Sequence, residues 1–177
     1  MRKRFNNLTD TEIENAKKNK TAAITIKLNS LTDAQLISKL YEASQAGAKI
    51  KIIVRGICSL IPQLKNVSTN IEVRSIVDKY LEHSRIFIFS NNGDEKYFIS
   101  SADWMPRNLD YRSEVAVPVY DKNIQNELRN IIDLQWHDNV KARIINATQN
   151  NQYVSAFDQS KIKVSAQDAI YAYLAKP

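Results

Sequence analysis

The spacing of apolar and polar residues along the chain follows two periods, which predict its strands and its helices. Short runs rich in β-branched and aromatic residues predict strands at 22–28, 50–54, 71–76, 85–89, 97–100 and 114–119. Apolar residues recur at helical spacing within 32–47, 121–136 and 166–174. Strands and helices are interspersed, so the chain is predicted to be α/β, with a mixed β-sheet flanked by helices.

One domain is expected to account for all 177 residues, because the chain has neither an internal repeat nor a domain-sized linker. A leading helix is expected within 1–20, and a polar loop followed by a closing helix within 146–177. Asp121 and Ser165 stand before the two later helices as capping residues.

Two further helix starts are predicted from a threonine that is followed three residues later by Glu or Gln. Thr9 with Glu12, and Thr32 with Gln35, have the spacing of a capping box. The helix after Thr32 is expected to stop near Gly47, since glycine adopts the left-handed conformation that ends many helices.

Strand, helix and strand follow one another between residues 22 and 54, which is the order of a βαβ unit. The two strands should therefore be parallel, joined by a right-handed crossover. Asn29 and Arg55 each stand one residue past the end of their strand. Ligands of open α/β sheets bind at the carboxyl ends of strands. The pattern therefore predicts that these two side chains line a ligand site.

Charge and composition narrow the classes of partner. Twenty-five basic and 19 acidic side chains give a net charge of +6, which favours anionic partners. Nucleic acid, nucleotides and polyphosphate are all anionic, so charge alone does not distinguish them. The single cysteine, Cys58, excludes an internal disulfide and fits a reducing cytoplasm. No apolar run is long enough for a membrane span or a secretory signal. Without a glycine-rich phosphate loop, any phosphate must be held by side chains and by strand or helix ends.

The segment 83–114 carries the residues best suited to chemistry. An Asn-Gly-Asp turn separates the strands predicted at 85–89 and 97–100, so they should form a hairpin. That reversal brings Ser100, Ser101 and Asp103 back beside His83 and Arg85. An imidazole, a guanidinium, two hydroxyls and a carboxylate at one sheet end suit the binding and transfer of a phosphoryl group.

The order of these residues resembles the active-site pattern of the phospholipase D superfamily, a His-x-Lys, a Gly-Ser-x-Asn and a downstream Glu. Arg85 replaces the lysine, Ser100 the glycine and Asp103 the asparagine, while Glu114 supplies the glutamate. Together with the blocks KLNSLTD, LYEASQAG, IIVRGICSL, IVDKYLEHSRIF and SSADWMPRNLDYRSEV, these departures resemble the C-terminal part of bacterial polyphosphate kinases over 24–143.

The resemblance implies a phospholipase D-like fold and reversible transfer of the terminal phosphate of ATP to inorganic polyphosphate through a phosphohistidine. In that family the phosphohistidine belongs to the first of two tandem phospholipase D-like domains. The chain is thus expected to be the second domain, part of a longer enzyme and inactive alone. The implied partners are ATP or ADP, polyphosphate and the upstream domains, which would hold most of the Mg²⁺ contacts, and not nucleic acid. The complete enzyme is expected to be a homo-oligomer, cytoplasmic or membrane-associated.

The resemblance also implies roles for individual residues. Its nucleotide-contacting arginine falls on Arg55, and its second-domain histidine falls on His83. His83 is expected to donate a proton or a hydrogen bond to a phosphate oxygen, since imidazole exchanges protons near neutral pH. Glu114 is the candidate that orients the other ring nitrogen. Arg85 and Arg112, with Asn29 and Arg107, are further candidates for phosphate binding.

Structural alternatives remain open for these residues. His83 could be a structural histidine, Glu114 an ordinary strand carboxylate and Arg55 half of an internal salt bridge. Two other functions also remain. One is a phospholipase D-type phosphodiesterase or nuclease half-site that acts as a dimer. The other is a basic module that binds nucleic acid, although neither an aromatic platform nor a basic helix is evident.

Overall fold

A seven-stranded mixed sheet organises the computed structural model, which describes residues 1–156 and 162–175. Its strands in chain order are β1 (Ala23–Leu28), β2 (Lys49–Val54), β3 (Ile71–Ser75), β4 (Ile86–Phe89), β5 (Lys96–Ser100), β6 (Ala116–Val119) and β7 (Arg143–Ile145). Across the sheet the order is β6-β5-β4-β1-β2-β3-β7. β1 is parallel to β2, and β2 to β3, whereas the other neighbours are antiparallel. The predicted mixed sheet, parallel βαβ unit and hairpin are confirmed.

Helices cover both faces of this sheet. They are α1 (Arg2–Lys17), α2 (Ala34–Ala46), α3 (Pro106–Tyr111), α4 (Lys122–Trp136) and α5 (Ala166–Leu174). On one face, α1 and α2 bury Phe5, Leu36 and Leu40 against the inward side chains of β1, β2 and β4. On the other, α4 and α5 cover a second apolar cluster that includes Ile53 and Ile86. Burial of these side chains, at about 1.5–3 kcal/mol each, holds the layers together.

The predicted helix start at Thr9 is wrong, because α1 begins seven residues earlier, at Arg2. Thr9 lies inside the helix and its hydroxyl donates to the carbonyl of Phe5 at 2.9 Å. Glu12 is fully buried, and its carboxylate accepts hydrogen bonds from the β1 and β4–β5 segments instead of capping its own helix. Glu12, which has the spacing of a capping box, therefore makes tertiary contacts and not a helix cap.

The cap of α2 is also shifted by one residue. Asp33, rather than Thr32, is the N-cap, and its carboxylate accepts from the backbone N–H of Leu36 at 3.0 Å. The N–H of Thr32 instead donates to the carbonyl of Trp104, which joins this loop to the segment after β5. Gly47 ends the helix with φ of 105°, as predicted.

The second half of the chain combines confirmed and missed elements. Asp121 caps α4 by accepting from the N–H groups of Asn123 and Ile124. Ser165 precedes α5 but makes no side-chain capping bond. The pattern analysis missed α3 and β7, since six and three residues are too few to show a period. Of the predicted loop and closing helix at 146–177, residues 157–161 and 176–177 lie outside the described residues.

Candidate functional site

Asn29 and Arg55 lie side by side at the carboxyl ends of two parallel strands. Leu28 pairs with Val54, so the next residues of β1 and β2 emerge at the same sheet edge. The Arg55 Nε donates to Asn29 Oδ1 at 3.0 Å. The N–H of Gly56 donates to the carbonyl of Asn29 at 2.7 Å, and a Cβ at position 56 would lie 3.0 Å from that oxygen. Glycine therefore permits the close approach of the two loops.

Asp103 connects this pair to the hairpin. Its carboxylate is 6% exposed and accepts from the backbone N–H groups of Asn29 at 2.7 Å and Ser30 at 3.2 Å. It also accepts from Arg85, through Nε at 3.2 Å and Nη2 at 2.9 Å. Burial by itself would raise the pKa of Asp103, but the bonds from Arg85 and the two amides outweigh it and lower that pKa. The carboxylate thus stays charged.

Arg85 in turn holds His83. One guanidinium nitrogen, Nη1, lies 3.0 Å from the ring Nδ1 and donates to the His83 carbonyl at 2.9 Å. The other, Nη2, lies 3.3 Å from Nε2. The imidazole itself is exposed. An unbroken series of contacts therefore runs from Arg55 through Asn29, Asp103 and Arg85 to His83, and it leaves the histidine ring open to solvent.

Glu114 is bonded to other partners than His83 and Arg85 within the described residues. Its carboxylate accepts from the hydroxyl of Ser101 and from Asn108 Nδ2 at 2.6 Å. These bonds, with Arg112 and Arg85 nearby, lower the pKa of Glu114. Its bonds thus go to the segment after β5 and to α3, while the ring nitrogens of His83 face Arg85. The orienting role of Glu114 stays a prediction.

The arginines around α3 are less constrained. Arg112 follows the helix as its C-cap residue and is exposed, and Arg107 is exposed on the helix itself. The segment that leads into α3 is anchored by Trp104, which is fully buried and stacks on Phe87 with ring centroids 5.2 Å apart. Arg112 is therefore exposed to solvent near Glu114, at the end of a segment that Trp104 anchors.

Sequence reasoning missed Lys27, which is 2% exposed near the end of β1. Its ammonium Nζ lies 3.9 Å from Glu82 Oε2. Burial lowers the pKa of Lys27 most, Glu82 and Asp103 oppose that shift, and Arg55 and Arg85 add to it. The signal available in the sequence was a lysine between two apolar residues, Ile26 and Leu28, near the carboxyl end of a strand.

Comparison with known proteins identifies the family. Residues 1–167 match the profile of "Polyphosphate kinase C-terminal domain 2". The chain belongs to this family. Polyphosphate kinase of Vibrio cholerae serotype O1 is 50% identical over 167 residues, which are 94% of this chain and 24% of that protein. The Escherichia coli K12 enzyme is 48% identical over the same shares. The chain thus spans about a quarter of the length of these relatives.

Solved structures agree with this assignment. The crystal structure of polyphosphate kinase from Porphyromonas gingivalis superposes with a TM-score of 0.93 at 47% identity, over 98% of this chain and 26% of that one. A phospholipase D family member, Nuc from Salmonella typhimurium, superposes with a TM-score of 0.55 at 14% identity, over 76% of this chain and 88% of that one. This likeness shows that the polyphosphate kinase domain has a phospholipase D-like fold.

The donors at this candidate site do not fit a metal ion. Across 1–156 and 162–175, no three His, Cys, Asp or Glu side chains are grouped so that they could hold one. The carboxylates of Asp103 and Glu114 accept hydrogen bonds from N–H and O–H donors. We therefore assign no Mg²⁺ to these residues. In the same described ranges, no helix is long and apolar enough to cross a membrane.

Proposed function

We propose that this chain is the nucleotide- and phosphate-binding domain of a polyphosphate kinase. The complete enzyme would move the terminal phosphate of ATP reversibly to inorganic polyphosphate through a phosphohistidine on a preceding domain. Mg²⁺ would be held mainly by that domain, and the complete enzyme would be a homo-oligomer. The observation that carries the proposal is the contact series from Arg55 to His83, which gathers cationic side chains at one sheet edge in a member of this family.

The roles follow from the contacts. Arg55 is half-buried and carries a permanent charge, so its guanidinium is placed to fork onto phosphate oxygens. Arg85 is committed to Asp103 and would act on phosphate mainly by positioning His83. The exposed guanidinium of Arg112 would contribute a further positive charge at the edge of the site. The exposed His83 ring would donate a proton or a hydrogen bond to the transferring phosphate, where charge changes most in the transition state.

Steady-state kinetics of two variants of the complete enzyme test this proposal. Arg55→Ala should weaken nucleotide binding about 10- to 150-fold, the effect of losing one charge-assisted hydrogen bond. His83→Ala should lower turnover far more than nucleotide affinity, because its bond matters most in the transition state. Arg4→Ala and His137→Ala remove the same groups from exposed positions elsewhere and serve as controls. Intact turnover with weakened binding in His83→Ala would show that the histidine only holds ligand.

The rival function for this fold is a phosphodiesterase or nuclease half-site. In that superfamily pattern a lysine stands where this chain has Arg85, which is 8% exposed and paired with Asp103. A guanidinium held in that way is poorly placed to serve as the lysine. Hydrolysis of a chromogenic phosphodiester by the chain would favour the rival, and its absence together with nucleotide binding would favour the kinase.

A further inference from the structure

Lys27 lies between the two arginines of the site. Within the sheet it pairs with Ile53 of β2 on one side and with Ile86 of β4 on the other. Arg55 stands two residues after Ile53, and Arg85 stands directly before Ile86. The ammonium of Lys27 interacts electrostatically with both guanidinium groups and with the Asp103 carboxylate. It therefore lies near the same sheet edge, and it is more buried than His83 and Arg55.

The polar surroundings of this ammonium are incomplete. Within the part of the chain that the structure describes, the ammonium of Lys27 donates no hydrogen bond, and its ion-pair partner Glu82 is 3.9 Å away. Glu82 itself accepts from Gln135 and Gln167, the first through the same oxygen that faces Lys27. A largely desolvated ammonium whose ion-pair partner is 3.9 Å away gains little that offsets its burial. An additional acceptor would offset that cost.

We propose that Lys27 is a phosphate ligand, with its ammonium forming the floor of the site between Arg55 and Arg85. Four cationic groups meet three carboxylates there: the cations are Lys27, Arg55, Arg85 and Arg112, and the carboxylates are Asp103, Glu82 and Glu114. The excess positive charge favours an anion, and phosphate oxygens supply the acceptors that the ammonium lacks. This inference rests on the proposed function and adds a ligand that the family resemblance does not assign.

The competing explanation is that Lys27 only neutralises Glu82. A double variant separates the two, because Lys27→Met with Glu82→Gln removes both members of the pair and keeps their approximate volumes. If the pair is purely structural, this variant should restore both folding and anion binding. If Lys27 is a phosphate ligand, folding should recover while anion binding remains weak.

The experiment is calorimetric titration of the complete enzyme with inorganic tripolyphosphate, with thermal unfolding recorded for each variant. We expect Lys27→Met and the double variant to bind tripolyphosphate about 10- to 150-fold more weakly. Lys49→Met removes an exposed lysine at the far end of β2 and should bind like the unmodified enzyme.

Full affinity in the double variant would overturn the role of Lys27. If Arg55→Ala weakens binding and Lys27→Met does not, only this inference fails. If neither variant changes binding, the proposed function of the site fails with it.

Discussion

At the scale of single residues, the departures from the superfamily pattern depend on one another. Asp103 stands where that pattern has an asparagine, and Arg85 where it has a lysine. The two form a bidentate, nearly buried ion pair, so each charge offsets the cost of burying the other. The remaining bonds of Arg85 go to His83, and those of Asp103 to the loop after β1. The presence of Arg85 and Asp103 in place of lysine and asparagine thus connects His83 to the strand end that carries Asn29.

This coupling predicts a stability effect of Asp103→Asn that depends on pH. Leaving Arg85 without its charged partner should lower the free energy of unfolding by about 1–3 kcal/mol at neutral pH. Because the pKa of Asp103 is lowered in the folded chain, its contribution is complete above the ordinary aspartate pKa of about 3.9 and is lost as pH falls through the lowered value. The difference between variant and unmodified protein should therefore shrink in acid.

Urea unfolding at a series of pH values measures this difference. Asp133→Asn, at an exposed position on α4, is the matched control and should change stability little at any pH. The same loss of stability for Asp103→Asn at acid and neutral pH would contradict the assignment to the carboxylate charge.

At the scale of elements, loops and helices are tied together by a few polar contacts. The loop 76–85, which carries His83, is fastened to α5 by reciprocal bonds between Gln167 and the backbone of Tyr80. Glu82 of the same loop accepts from Gln135 of α4. At the other end of the sheet, Glu12 fastens α1 to β1 and to the β4–β5 turn. The helices thus set where the loops run.

Glu12→Ala tests the fastening of α1. The variant would remove the acceptor of the Asn91 N–H, whereas the N–H of Ala23 would keep Ser90 Oγ at 2.8 Å and the Ser90 hydroxyl would keep the carbonyl of Thr21 at 3.4 Å. Each buried donor without a partner costs about 1–3 kcal/mol. Denaturant unfolding should show a large loss of stability, while the exposed control Glu14→Ala should change it by about 0.5 kcal/mol or less. Equal effects of the two substitutions would contradict the role of Glu12.

At the scale of the whole molecule, the sheet brings the candidate site residues together at one edge. Two helical layers bury its faces, and the carboxyl ends of β1 and β2 meet the start of β4 and the end of β5. Known proteins of the family are about four times longer than this chain. The exposed His83 ring is therefore placed where residues from the rest of such a protein could complete the site.

The 177-residue chain by itself is expected not to make polyphosphate from ATP. Its two histidines are His83 and His137, and neither falls on the histidine that the family resemblance assigns to the covalent intermediate. Transfer through a phosphohistidine requires that nucleophile. Incubation with radiolabelled ATP and isolation of polymer measures the activity, with the complete enzyme as the positive control. Synthesis by the pure chain would refute the division of roles between the domains.

The sequence by itself determined the features that depend on local order. Period and β-branched content located six of the seven strands, and the βαβ order placed Asn29 beside Arg55. The Asn-Gly-Asp turn defined the hairpin, and the motif order pointed to the family. These predictions succeed because side-chain periodicity and turn chemistry are set by neighbours along the chain.

Only the tertiary structure decided which partners the polar side chains take. Glu12 has the spacing of a helix cap but accepts bonds from residues 11 to 79 positions away. Lys27 belongs to an ordinary strand pattern, yet it is buried in the sheet between β2 and β4 and interacts electrostatically with Arg55 and Arg85. Glu114 accepts hydrogen bonds from Ser101 and Asn108, which no local pattern predicts. Burial and pairing depend on how distant elements pack, and no local pattern contains that information.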